Sequence, residues 1–229
     1  MNPLCALLRR LRRSVSGTAV TEFALAAPLV MTAGLWGVES AHRAVLQMRI
    51  NQVAVLVADN ASRVGENSLL GETKLYETDI NDVLYGAHIQ SGGTLDLYKY
   101  GRVMLSSLEV VPDTEDQQYI HWQRCKGELQ RTSSYGYEGD GMIGGIPGMG
   151  PPGEEIIAFA GEAVMFVEVV YEYQPLISEA FTHADEITAT AAFNVRDNRD
   201  LAQIYQRDPA SPDTVADCNV YDGVATING

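Results

Sequence analysis

Gly17 to Val38, GTAVTEFALAAPLVMTAGLWGV, is an apolar run preceded by four arginines and interrupted by a single acid, Glu22. At about 1.5 Å of helical rise per residue, roughly twenty residues span the ~30 Å hydrocarbon core of a bilayer. A segment of this kind constrains everything after it. The arginines (Arg9, Arg10, Arg12, Arg13) stand on one side of the run, and Glu39, His42 and Arg43 on the other. By the positive-inside bias the N-terminus is expected in the cytoplasm and the rest of the chain across the membrane.

Charge supports the division. The 229-residue chain has a net charge of -14, yet residues 1–17 hold four arginines and no acid. From Thr18 onward, 12 basic residues therefore face all 30 acidic ones, a net of -18. Such a balance repels phosphate backbones and argues against nucleic-acid binding. Cys5 lies in the basic arm, leaving Cys125 and Cys218 as the pair in an exported, oxidising compartment, where a disulfide between them is expected.

Residues 1–17 read as a basic leader, 18–38 as a transmembrane segment and 39–64 as an amphipathic continuation of one helix. Leu46, Ile50, Val53, Val57, Ala61 and Val64 recur at spacings of three and four, and Gly65 follows as a stop. Pro28 removes a backbone donor and frees the Ala24 carbonyl, so a bend or local loosening is expected there. A break near Gly37 is the alternative to one long helix.

Residues 65–229 read as an acidic periplasmic α+β domain. Thr78 or Asp79 is expected to cap a helix with Ile80, Val83, Leu84 and Ala87 on one stripe, ending near Gly92-Gly93. Period-two segments follow at Thr94–Tyr100 with Arg102–Val111, then Gln118–Lys126, Ala163–Tyr173 and Glu186–Val195. An antiparallel sheet of about four strands with helices on one face is the economical assembly. Thr132 to Glu155 is rich in glycine and proline and reads as a long exposed loop; Glu138 and Asp140 match no calcium-ligand spacing. Asn194 to Leu201 reads as a turn tied by Arg–Asp pairs, and the tail as irregular, pinned through Cys218.

Cleavage after Gly17 would leave a free amine on Thr18 and place Glu22 fifth in the mature chain. A carboxylate in a spanning helix is unfavourable by up to about 2.5–3.5 kcal/mol at the bilayer centre, so it seeks a partner. A neighbouring subunit's amine can supply one; a helix N-terminal acid reaching the interface is the simpler alternative.

Gly17-Thr-Ala-Val-Thr-Glu22-Phe-Ala-Leu-Ala-Ala-Pro28-Leu, with basic residues before it and Val38-Glu39 after the run, resembles the TadE family of minor pseudopilins from tight-adherence (Flp) pilus systems. Thr21 and Ala27 depart from the family's usual residues. The resemblance covers residues 9–43. It implies a pilin-like fold, cleavage by a prepilin peptidase between Gly17 and Thr18, and retention in the bacterial inner membrane as a single-pass protein. It also implies association of the outer domain with other pilins or pseudopilins, with Glu22 and Pro28 as assembly residues. A single-pass anchored envelope domain that binds a ligand or partner without polymerising is the alternative.

His42, His88, His121 and His183 are scattered, and no nucleophile elbow, phosphate loop, CxxC or HExxH motif occurs. Neither an enzymatic role, a metal site nor a cofactor is expected.

Overall fold

The computed structural model describes residues 16–67, 71–93, 95–177 and 186–223. Residues 1–15 of the basic leader, including Cys5 and the four arginines, lie outside them, as do His183 and Thr94. The chain divides into two compact units: Met1–Arg43 with Pro175–His183, and Ala44–Gln174 with Ala184–Gly229.

The elements are helix α1 (Ser16–Ala61), strands β1 (Glu66–Asn67) and β2 (Thr73–Lys74), helices α2 (Glu77–Ser91) and α3 (Leu97–Tyr100), and strands β3 (Gly101–Val110), β4 (Gln118–Lys126), β5 (Ala163–Glu172) and β6 (Glu186–Asn194). The fold is α+β: a long N-terminal helix packed on a four-stranded antiparallel sheet of order β4-β3-β5-β6. Helix α1 has 46 residues and runs without a break through Pro28 and Gly37. Its last turn winds on to Val64, whose N–H donates to the Asn60 carbonyl.

The two central strands, β3 and β5, are buried along both faces. On one face Val103, Leu105, Met165, Val167 and Val169 meet Ile50, Val53 and Val57 of α1 and Ile80 and Leu84 of α2 in a single core. On the other face Leu108, Val164 and Phe166 meet Ile120, Met149 and Ala158, with Tyr135 and Ile146 packed alongside. The glycine-rich segment 132–155 is a loop and mostly exposed, as expected, and through Tyr135, Ile146 and Met149 it also packs on this face of the sheet. Its glycines permit close backbone approach: a Cβ on Gly141, whose φ is +86°, would stand 2.4 Å from the Gln118 carbonyl. Buried Glu168 holds the segment's start by accepting from Ser133 Oγ at 2.9 Å and the Ser134 N–H at 3.0 Å.

Two local expectations are corrected. Leu97–Tyr100 is a helical turn rather than a strand: Leu97 and Tyr98 are consecutive and both buried in the same core, which strand alternation forbids. The N-cap of α2 is Tyr76, not Thr78 or Asp79. Asp79 instead reaches back from the third helical position to accept the Tyr76 N–H at 3.0 Å, and the Glu77 N–H is taken by the Tyr205 carbonyl.

Asn194 to Leu201 and the tail are held more firmly than Arg–Asp pairing or one disulfide predicts. Arg196 does pair with Asp59 at 3.1 Å. Arg199, however, is buried and donates to the carbonyls of Ala61 (3.1 Å) and Val64 (2.6 Å), closing the C-terminus of α1 with positive charge. Arg102 on β3 is fully buried and donates to the carbonyls of Gly127 (3.1 Å), Val220 (3.3 Å) and Cys218 (2.6 Å), with Tyr221 stacked 4.0 Å from its guanidinium. Burial lowers the pKa of both arginines. The Cys125–Cys218 disulfide closes the same junction across a sequence separation of 93.

Truncating Arg102 would leave three carbonyls, one buried and two part-buried, without their charged donor. Arg102→Ala is expected to destabilise the domain by about 3 kcal/mol, read as a lower urea midpoint for the detergent-solubilised protein with the disulfide intact.

Candidate anchoring and assembly site

The apolar stretch of α1 keeps its side chains outside any protein core. Val20, Phe23, Leu25, Leu29, Val30, Met31 and Trp36 are exposed, Phe23 to 72%. Among the described residues this helix alone is long and apolar enough to cross a membrane. Surface of this kind is unfavourable in water by about 25 cal/mol per Å2, and lipid removes that cost.

Gly17, Thr18, Glu22 and Pro28 all lie on this stretch. Gly17 has open space around it. Thr21 donates its hydroxyl to the Thr18 carbonyl at 2.8 Å, and Thr32 donates to the Pro28 carbonyl at 2.7 Å. The hydroxyls of Thr21 and Thr32 are thereby satisfied within the helix, as an apolar surrounding requires. Glu22 is exposed on the same surface.

Glu39 behaves differently. It is the first buried side chain after the apolar run, at 2% exposure, and its two carboxylate oxygens accept the backbone N–H groups of Leu176 (3.0 Å) and Ile177 (2.9 Å). The chain leaving β5 is thus tied to the helix by a charged acceptor meeting two consecutive amides. In the sequence Glu39 is a flank of the run and half of the Val38-Glu39 pair, with no partner assigned to it. The one signal for its role was an acid at the end of an apolar helix with no basic residue three or four positions before it.

In the second unit, a polar cleft of about 500 Å3 is lined by Gln123, Arg124, Tyr137, Glu138, Asp217 and Asn219, with the disulfide's Cys218 at its wall. Its charged groups are engaged internally. Arg124 donates to Glu77 (2.6 Å) and Glu138 (3.1 Å), which outweigh the effect of burial and hold its pKa above the ordinary value. Glu138 also accepts the Gln123 N–H, and Asp140 accepts the Tyr137 N–H. No group of three His, Cys, Asp or Glu side chains converges on a metal position among the described residues. His121 meets Glu109 at 2.9 Å, a hydrogen bond that raises the imidazole pKa against the opposing effect of burial. Beyond the cleft, the tip of the glycine-rich segment presents Met142 and Ile143, the latter 97% exposed.

The helix can therefore enter an apolar phase, and the disulfide fits an oxidising compartment. No family model, curated protein or solved structure matches the chain.

If Glu39 is what holds the segment after β5, Glu39→Gln weakens both amide bonds by removing the charge. Hydrogen exchange at Leu176 and Ile177 is expected to accelerate about tenfold, while amides of β3 and β5 keep their wild-type protection.

Proposed function

We propose that this chain is a minor pseudopilin of the TadE type, anchored in the bacterial inner membrane and working as a structural component of a tight-adherence pilus or secretion assembly. The observation that carries the reading is the single helix Ser16–Ala61, whose first half is apolar and exposed and whose second half is built into the core of an α+β domain. A signal peptide that is removed has no reason to continue as the main core helix of the domain it delivers.

In this reading a prepilin peptidase cuts between Gly17 and Thr18, leaving the helix in the mature protein with its N-terminus on the cytoplasmic side and the acidic domain in the periplasm. The new amine on Thr18 and the carboxylate of Glu22 are then the only charges near the start of the span. A subunit can satisfy its own pair or share it with a neighbour, and sharing sets the axial register of an assembly. Pro28 supplies a point where a helix without one backbone hydrogen bond can yield as the subunit leaves the bilayer.

Mass spectrometry of the membrane-extracted protein tests the reading. A mature chain beginning at Thr18 supports it. A chain that keeps residues 1–17 belongs to an anchored envelope domain that never polymerises, and one beginning near Ala41 to a released protein. With processing established, Glu22→Ala is expected to insert normally and to lose co-purification of partner pseudopilins by about tenfold; unchanged co-purification removes Glu22 from assembly.

A further inference from the structure

One other stretch of chain belongs to the same compact unit as the apolar run: Pro175–His183, which follows β5. It is tied to α1 at a definite height. Thr18 to Val38 takes up roughly 30 Å of helix, the thickness of the hydrocarbon core, so Glu39 stands where the helix leaves that core. Its carboxylate accepts the Leu176 N–H at 3.0 Å and the Ile177 N–H at 2.9 Å. Headgroups extend a bilayer by about 5–7 Å beyond the core on each side. A backbone within hydrogen-bond reach of Glu39 therefore lies in the headgroup layer. Trp36, one turn earlier and 61% exposed, is the residue type that marks such a boundary.

Pro175, Leu176 and Ile177 share a second property, in that none has an amide free to donate. Proline has no N–H, and the other two N–H groups are taken by Glu39. In water such pairing is unnecessary, because solvent supplies the acceptors. Beside hydrocarbon it is required. The Leu176 side chain is 59% exposed, and Ile177 is half-buried. An exposed apolar side chain on a backbone without free donors, held at headgroup depth, fits a lipid surface.

We propose that Pro175–Ile177 is a second membrane contact, which lays Leu176 among the lipids of the leaflet through which α1 leaves the bilayer. The inference rests on the membrane anchoring put forward above, because the depth of Glu39 follows from the span. Glu39 then does more than hold a loop. As a buried acceptor it uses up the amides that would otherwise keep this backbone in water. A lone span is free to turn about its axis and to shift along the bilayer normal. A lipid contact on one side of the helix resists both movements.

Fluorescence quenching in lipid nanodiscs tests the proposal, using the full chain with Cys5→Ser as background because Cys125 and Cys218 are already joined. A bimane on Leu176→Cys is expected to be quenched several-fold more by lipid with a nitroxide near its headgroup than by lipid with one at the end of the acyl chain. The same probe on Leu29→Cys, midway along the apolar run, is expected to show the reverse order. Glu39→Ala frees the two amides and is expected to lower headgroup quenching at Leu176→Cys several-fold while leaving Leu29→Cys unchanged. Quenching at Leu29→Cys with none at Leu176→Cys overturns the contact and leaves the anchoring in place, whether the Leu176→Cys probe is then open to aqueous iodide or covered by protein. Headgroup quenching at Leu176→Cys that Glu39→Ala does not change overturns the part given to Glu39. Absence of quenching at both positions removes the anchoring itself, and the contact with it.

Discussion

The sheet's central pair, β3 and β5, has apolar side chains on both faces, and that forces the rest of the domain. A two-sided apolar sheet must be covered twice. Helices α1 and α2 cover one side, and the other is covered by a segment with little regular structure of its own, where Met149, Ile146 and Tyr135 reach Leu108, Val164 and Phe166. Glycine makes the second cover workable by bringing backbone against backbone, so the layer is thin and its hydrogen bonds go to β4: Gly139 N–H to the Ile120 carbonyl, and Ile146 N–H to the Gln118 carbonyl. These bonds also occupy one edge of the sheet, which would otherwise be open to strand addition.

The same economy applies to α1. Its first half is apolar and exposed, and its second half spends an apolar face on the sheet. Charge on this helix is concentrated where it has work: Asp59 bonds Arg63 and Arg196, and Glu39 accepts from the chain after β5. The end of the helix, where carbonyls point out unpaired, is met by buried Arg199.

Periodicity made much of this legible. The α1 stripe from Leu46 to Ala61 and the strands Gln118–Lys126, Ala163–Glu172 and Glu186–Asn194 follow from spacing alone, because burial on a helix or strand repeats at a known interval. What escaped depends on contacts between residues far apart in the chain. The turn at Leu97–Tyr100 looks extended by composition, and only its burial beside α2 makes it helical. Segment 132–155 has the residues of a solvent loop, and nothing local reveals that Met149 is fully buried. Arg102 and Arg199 resemble surface charges until the carbonyls they meet are known. Of the site residues, Gly17, Thr18, Glu22 and Glu39 stand out by motif, but what Glu39 binds does not, since its partners are backbone amides 137 and 138 positions away.

The placement of Arg102 bears on how the chain is made. It sits in one of the two central strands of the sheet, yet two of its three carbonyl partners belong to Cys218 and Val220, 116 and 118 positions later. Whether the polypeptide emerges from a ribosome or from a translocation channel, it does so N-terminus first. Residues 218–220 must therefore meet the sheet before its buried cation is satisfied and its disulfide can close.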